Sequence, residues 1–156
     1  MDIIDEIIQR EGPPSNDPLD NGGRTAWGIS ERGNPEAWKN GPPTYAEARV
    51  IYESKYVKGP GFDKIDDLPL RNQLIDFGVT SGPALAILKL QSILEVDPDG
   101  KLGPKTLAAL LLWDGDRLNN ALVAARVSMI GRIVTKNPSQ LKFLRGWLIR
   151  ALSFLQ

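Results

Sequence analysis

Helix-start signals recur along this chain, and they favour a fold built mainly from helices. Asn34-Pro35, Gly82-Pro83, Gly103-Pro104 and Pro138 each place a proline at or near the first position of a helix, and Thr44 opens a capping box with a glutamate three residues later. Alternating apolar and polar runs, which would indicate strands, are nearly absent. The sequence therefore predicts a mainly α class with one small β-hairpin.

The predicted helices follow from these signals and from apolar spacing. Ile4, Ile7 and Ile8 share one face of an N-terminal helix that Gly12-Pro13 ends. Residues 15–30 are predicted to form turns, with a short hairpin around Asn21-Gly22. The predicted helices cover residues 2–11, 35–38, 44–57, 69–79, 83–95, 104–113, 116–135 and 138–155.

The chain contains no cysteine and no histidine among its 156 residues. A zinc site of the usual type needs histidine or cysteine ligands, and Ser-His-Asp or Cys-His catalysis needs a histidine. The composition therefore argues against zinc amidases, zinc endopeptidases and papain-like peptidases. Catalysis by carboxylates fits best, and we expect neither a metal nor a cofactor.

Residues 11–29 carry the candidate chemistry, because they place two carboxylates on turns after a helix. Glu11 ends the first apolar helix, and Asp20 follows nine positions later. The helix dipole disfavours a glutamate at a helix C-terminus by a few tenths to about 1 kcal/mol. Because residues that break a local folding rule are typical of functional sites, this position indicates a functional role for Glu11. Acid-catalysed cleavage of a glycosidic bond needs two carboxyl groups, one to donate a proton and one to act on water or on the developing cation.

The same segment resembles the catalytic segment of the phage endolysin and secretion-activator muramidases classed as glycoside hydrolase family 108. The resemblance rests on Glu11-Gly12, on Asn16-Asp17-Pro18 and on the run Asp20-Asn21-Gly22-Gly23-Arg24-Thr25-Ala26-Trp27-Gly28-Ile29. The chain departs from the family pattern where Pro13 replaces a second glycine and Ser15 stands near the usual tyrosine. The resemblance implies a lysozyme-like helical fold with a small hairpin near the active site.

Residues 74–110 resemble the peptidoglycan-binding module that follows the catalytic segment in this family. The matching motifs are Asp76-Phe77-Gly78-Val79, Gly82-Pro83-Ala84, Leu90-Gln91, Asp99-Gly100 and Gly103-Pro104-Lys105-Thr106. Most of these motifs also have a local folding reason, such as a turn at Asp99-Gly100. We expect a catalytic lysozyme-like segment over residues 1–68 and a helical peptidoglycan-binding-like segment over residues 69–156, packed into one compact unit.

The resemblance implies that Glu11 is the general acid and that Asp20 and Thr25 position the attacking water. Asp17 is the alternative second carboxylate. Asp20 has two further alternatives, to stabilise an oxocarbenium ion or to cap its own turn. Thr25 has the ordinary alternative of a hairpin threonine.

The candidate substrate-binding residues are Gly23, Arg24 and Trp27. Trp27 either stacks on a sugar ring or packs in the core. The implied activity is that of an endolysin that hydrolyses the β-1,4 bond between N-acetylmuramic acid and N-acetylglucosamine. A lytic transglycosylase and a non-catalytic wall-binding protein are the alternatives. We expect peptidoglycan as the partner, no nucleic acid, and a monomer.

The N-terminus, MDIIDEIIQR, is acidic where a signal peptide would be basic. The longest apolar runs, such as residues 107–113, are too short to span a bilayer. We therefore expect synthesis in the host bacterial cytoplasm without a signal peptide, and action on the cell wall after release. Phage lysis and bacterial secretion both fit this expectation.

Charge is distributed unevenly, although the net charge is zero. No acidic residue follows Asp116, and the remaining residues carry seven basic ones: Arg117, Arg126, Arg132, Lys136, Lys142, Arg145 and Arg150. In a helix from Pro138 one face is predicted to carry Leu141, Leu144, Trp147, Leu148, Ala151, Leu152 and Leu155, with Lys142, Arg145 and Arg150 opposite. We expect a core helix, with an anionic envelope surface as the alternative partner of this basic segment.

Overall fold

The computed structural model describes residues 2–13 and 24–156, and the fold is mainly helical as predicted. The helices are α1 (Ile3–Glu11), α2 (Tyr45–Tyr52), α3 (Leu68–Ser81), α4 (Pro83–Leu94), α5 (Pro104–Leu110), α6 (Gly115–Lys136) and α7 (Leu141–Leu152). The strands are β1 (Thr25–Ala26) and β2 (Ile29–Ser30). Short 3-10 helices cover Pro35–Trp38, Phe62–Lys64 and Pro138–Gln140, and a π-helix covers Glu53–Lys58. None of the helices in these described ranges is long and apolar enough to cross a membrane.

The chain divides into two compact units, Met1–Gly59 and Pro60–Gln156. The predicted boundary, after residue 68, lies further along the chain. The assignment of catalysis to one segment and wall binding to the other, and their packing into one body, stay predictions.

Helix α1 of the first unit is held by its apolar face and by both of its ends. Its four isoleucines are buried: Ile3, Ile4, Ile7 and Ile8. The side chain of Asp2 caps the N-terminus by accepting a hydrogen bond from the Asp5 amide. Gly12 ends the helix with a φ of 81°, a conformation that glycine adopts without steric cost. Glu11 is therefore the last helical residue.

Helix α2 presents a polar and aromatic face to α1. The predicted capping box of Thr44 and Glu47 opens it. The Arg49 guanidinium then bridges the carboxylates of Asp2 and Asp5, each at 2.5 Å. The Tyr45 hydroxyl also donates to Asp5, at 2.7 Å. These contacts fix the start of α1 on the first half of α2.

The two strands form an antiparallel hairpin with Thr25 opposite Ser30 and Ala26 opposite Ile29. The turn between them consists of Trp27 and Gly28, with φ of 53° and 78°. Two successive positive φ angles are typical of a type I′ turn, the type that matches the twist of a hairpin. The hairpin predicted around Asn21-Gly22 lies outside the described residues.

The second unit is built on α3, α4 and α6, which pack against one another. Its buried side chains include Phe62, Leu74, Phe77, Leu90, Leu118 and Leu122. Gln91, also buried, organises the loop before α5. Its amide nitrogen donates to the Asp99 carboxylate at 2.8 Å and to the Lys101 carbonyl at 3.0 Å, and its oxygen accepts from the Gly100 amide at 2.9 Å. This motif residue therefore has a structural role.

Helix α7 corrects the predicted faces of the C-terminal helix. Arg150 does not lie on the solvent side, because its guanidinium reaches the buried carboxylate of Asp76 at 2.8 Å. The same carboxylate pairs with Arg126 of α6 at 2.6 Å. The face turned to the protein carries Leu144, Trp147, Leu148 and Ala151. Three residues predicted for it are exposed instead: Leu141, Leu152 and Leu155.

Candidate active site

Glu11 stands at the solvent-exposed end of an otherwise anchored helix. Its neighbours Ile7 and Ile8 are fully buried, whereas the Glu11 side chain is exposed. The position combines a fixed backbone with a carboxyl group that a substrate can reach. A general acid needs this combination, because it must come within hydrogen-bond reach of the leaving oxygen.

The turn of the hairpin packs directly on Glu11. A Cβ atom added to Gly28 would lie 3.0 Å from Cγ of Glu11 and 3.3 Å from its Cβ. The same added atom would overlap the hydroxyl of Tyr52. Because contacts this short are essentially never tolerated, only glycine fits between the two side chains. The missing side chain at this position lets Glu11 and Tyr52 both pack against the turn.

Trp27, the residue before Gly28, carries backbone strain. Its φ of 53° places a bulky aromatic residue in the left-handed region. Such strain costs on the order of 1–3 kcal/mol and tends to cluster at functional sites. The half-buried indole meets the Tyr45 ring edge-on, with centroids 5.4 Å apart. This contact orients the indole and leaves part of it accessible.

Arg24 is engaged within the first unit. Its guanidinium makes a bidentate ion pair with Glu31, with hydrogen bonds of 2.8 and 2.6 Å. It also lies over the ring of Trp38, at 5.2 Å from the centroid. The guanidinium of Arg24 lowers the pKa of Glu31 below its usual range. The backbone of the same two residues also closes the hairpin, because the amide of Glu31 donates to the carbonyl of Arg24 at 2.9 Å.

Of the remaining predicted site residues, Thr25 lies within the part of the chain that the structure describes. Thr25 is half-buried in β1, on the hairpin whose turn packs on Glu11. Asp17, Asp20 and Gly23 lie outside the described residues, so their roles stay predictions. Within residues 2–13 and 24–156, no cluster of three or more acidic residues forms a metal site.

A groove of about 1000 Å³ lies between the Pro35–Trp38 turn and α2. Its described lining includes Asn34, Asn40, Thr44 and Glu47, together with Val50 and Ile51. Asn34 is tied to the hairpin, because its backbone and side-chain nitrogens both donate to the carbonyl of Ser30. Glu11 is not among the described lining residues, so the groove is distinct from the position of the candidate acid.

The sequence did not single out Tyr52, Tyr45 or Arg49. Their spacing along α2, at i, i+4 and i+7, was the available signal, because residues so spaced share one helical face. What that face contacts depends on how α2 packs on α1 and the hairpin. The structure places Tyr52 at the same turn as Glu11, whereas Tyr45 and Arg49 contact Asp5 near the start of α1.

A mainly α fold with an exposed glutamate at a helix end against a small hairpin fits a lysozyme-like glycoside hydrolase. The family model of Glycosyl hydrolase 108 matches residues 4–82. The chain therefore belongs to glycosyl hydrolase family 108. A second model, described as a predicted peptidoglycan domain, matches residues 85–152.

One solved structure is similar to this protein over nearly the whole chain. The structure of Brucella abortus SagA is 30% identical in sequence, with a TM-score of 0.69. The similarity covers 97% of this chain and 92% of that one. No curated protein matches the sequence significantly. With the two family matches, this identifies a glycoside hydrolase of the muramidase type that degrades peptidoglycan.

Proposed function

We propose that this enzyme hydrolyses the β-1,4 bond between N-acetylmuramic acid and N-acetylglucosamine. The observation that carries the proposal is the exposed Glu11 at the end of α1, held against the turn at Gly28. A carboxyl group in this position protonates the glycosidic oxygen as the bond to the anomeric carbon breaks. General acid catalysis of this kind contributes about 10²–10⁴-fold to the rate.

The attacking water needs a second group, and we propose Asp20 for it, with Thr25 as a hydroxyl partner of the water. Asp17 is the alternative carboxylate. In the inverting mechanism the two carboxyl groups lie roughly 6.5–9.5 Å apart, which leaves room for water on the far face of the sugar ring. One water proton passes to Asp20 while Glu11 delivers its own proton to the leaving sugar, so charge is conserved.

Substrate contacts are proposed for the hairpin and the segment before it. Trp27 offers a partly accessible indole fixed by Tyr45, and sugar rings stack on such surfaces. Gly23 and Arg24 are proposed to contact the glycan beside it. Arg24 would do so with the guanidinium that Glu31 already orients.

We also propose that the exposed face of α7 contacts an anionic envelope surface. Leu141, Arg145, Ile149 and Leu152 follow each other at helical spacing, and the three apolar members are 60%, 55% and 46% exposed. Lys142 adds a second positive charge, and no acidic residue occurs in α7. Exposed apolar groups beside basic ones are typical of helices that bind anionic lipid surfaces. Arg145→Gln with Lys142→Gln would then weaken co-sedimentation with phosphatidylglycerol vesicles, and unchanged co-sedimentation would contradict this part.

The proposed setting is synthesis in the bacterial cytoplasm and action on the wall after release, in either phage lysis or bacterial secretion.

Product analysis tests the proposed reaction. Purified sacculi are digested, and the fragments are measured by mass spectrometry, with Glu11→Gln as the comparison. We expect fragments ending in reducing N-acetylmuramic acid from the wild type and almost none from the variant. Anhydro-muramic ends would identify a lytic transglycosylase instead. Binding to sacculi without any fragments would identify a non-catalytic wall-binding protein.

A further inference from the structure

The hydroxyl of Tyr52 and the side chain of Glu11 both pack against Gly28 in the turn of the hairpin. Both the hydroxyl oxygen and Cγ of Glu11 lie within 3.0 Å of one point, the position that a Cβ of residue 28 would occupy. Tyr52 is only 3% exposed, so its phenol is fixed by its surroundings while Glu11 reaches solvent. A buried polar group and an exposed glutamate side chain therefore share the same turn.

Three features of α2 and of the π-helix that follows it hold the Tyr52 ring in place. Arg49, one turn earlier, ties α2 to the start of α1 through Asp2 and Asp5. The ring of Tyr56 lies 5.5 Å from that of Tyr52, on the same side of the helix. Helix α2 also passes into the π-helix directly after Tyr52. Such π segments occur frequently at functional sites, because the widened turn redirects the side chains around it.

A glutamate at an exposed helix end has several rotamers available, and only a subset of them points toward a bound glycan. A buried tyrosine hydroxyl beside it supplies a hydrogen-bond donor, and buried tyrosine hydroxyls usually find a polar partner. Gly28 contributes by leaving the space in which the two side chains approach. Restricting a catalytic group to its productive geometry raises the rate of the chemical step without new substrate contacts.

We propose that Tyr52 is a positioning residue that holds the Glu11 carboxyl group in its productive orientation. The inference rests on the proposed role of Glu11 as the general acid. It assigns no proton transfer to Tyr52, whose hydroxyl remains protonated throughout the reaction.

The test compares Tyr52→Phe with Tyr56→Phe in the full chain, using soluble peptidoglycan fragments of defined length. Tyr56 is the matched control, because it is the neighbouring ring on the same helical face. We expect Tyr52→Phe to lower kcat about 10- to 100-fold with KM unchanged, since only the orientation of the acid is lost. Tyr56→Phe should leave both constants unchanged.

Two further variants separate the inference from the proposed function. In a Glu11→Gln background, Tyr52→Phe should cause no additional loss, because the group that it positions no longer acts. If Tyr52→Phe also lowers stability, rates are measured per folded molecule at low temperature. Replacing Tyr52 by 4-aminophenylalanine, which keeps a donor at the ring's para position, should then restore most of kcat.

An unchanged kcat in Tyr52→Phe would overturn the inference, and so would a loss confined to KM or one that the amino analogue fails to restore. These outcomes leave the proposed function intact as long as Glu11→Gln is inactive. A folded Glu11→Gln variant with wild-type activity would instead overturn the proposed function itself.

Discussion

The regions around Glu11 and Asp76 hold a carboxyl group in opposite ways. Asp76 is fully buried in the second unit, between the guanidinium groups of Arg126 and Arg150. Glu11 stands exposed at a helix end in the first unit, beside a glycine turn and a tyrosine hydroxyl. A carboxylate enclosed by two arginines is out of reach of any substrate, so its function is to hold helices together. A carboxyl group on a fixed helix end remains reachable, and it can exchange a proton.

The ion pairs at the start of α1 show that pairing with arginine does not by itself determine how much a carboxylate contributes to stability. In the first unit the arrangement is inverted, with one arginine, Arg49, between Asp2 and Asp5. The side chain of Asp2 is half exposed, and exposed ion pairs contribute only about 0–1 kcal/mol. Breaking a buried pair costs about 3–5 kcal/mol, because a charge is left without its partner in the interior. We therefore expect larger losses of stability from changes at buried ion pairs than from changes at exposed ones.

The largest effect on folding is expected from removing α7. Deleting residues 138–156 takes Arg150 from Asp76, and it also removes the Phe154 carbonyl that accepts from Asn119 at 2.6 Å. Each apolar side chain that loses full burial adds about 1.5–3 kcal/mol. We expect the second unit to lose its cooperative thermal transition, measured by circular dichroism. A truncated protein with an unchanged melting temperature would show that α7 is only attached to the surface.

Asp76→Asn should come next. The amide keeps the shape of the side chain but removes the negative charge that faces Arg126 and Arg150 in the interior. We expect a loss of about 3–5 kcal/mol in the free energy of unfolding, measured in urea. Asp63→Asn, at an exposed position, is the control and should cost almost nothing. A loss below about 1 kcal/mol for Asp76→Asn would mean that its burial carries no energetic weight.

Gly28→Ala tests whether activity depends on the glycine turn that packs on Glu11. The added methyl group would overlap the Tyr52 hydroxyl and press on Glu11, and the residue keeps a φ of 78°. Gly41→Ala is a matched control, with a positive φ of 108° and no atom within 4 Å of its added Cβ. Both variants should lose about 1–2 kcal/mol from left-handed strain, and Gly28→Ala should lose more because its methyl group also displaces the Tyr52 hydroxyl. Activity per folded molecule should fall only in Gly28→Ala. Equal activity in the two variants would show that the packing of the turn on Glu11 does not affect catalysis.

Local signals predicted the helices well, and tertiary contacts explain what they missed. The capping box at Thr44 and the starts at Gly82-Pro83 and Gly103-Pro104 are where the sequence placed them, because caps depend on neighbouring residues. Arg150 was misplaced because its partner, Asp76, is 74 positions away in the chain. A helical wheel sorts residues by polarity and assigns such an arginine to solvent.

The candidate site shows the same division. Glu11 was predicted from its place at a helix end, and Trp27 from its place in the family motif. Tyr52 gave no comparable signal, since its importance arises from the packing of α2 on α1 and the hairpin. The roles of Asp20 and Thr25 depend on the separation of side chains from Glu11, which sequence spacing does not determine.

The smallest effect is expected for the exposed network, and it depends on pH. Hydrogen bonding from Arg49 lowers the pKa of Asp2 to about 2, from an ordinary value of 3.8. A depressed pKa in the folded state stabilises the protein above pH 4, and this contribution is lost as the pH falls toward 2. Because the site is exposed, we expect a difference of about 1 kcal/mol or less between wild type and Arg49→Gln. Thermal melts should show that difference above pH 4 and its disappearance near pH 2, whereas a constant difference would contradict the pairing.

The turnover of Glu11→Gln per folded molecule is the most direct test of Glu11 as the general acid. Glu6→Gln is the control, because Glu6 is an exposed glutamate on the same helix. We expect both variants to melt like the wild type, Glu6→Gln to keep full activity on peptidoglycan, and Glu11→Gln to lose at least about 10²–10⁴-fold in activity. A folded Glu11→Gln variant that cleaves peptidoglycan at the wild-type rate would show that Glu11 is not the general acid.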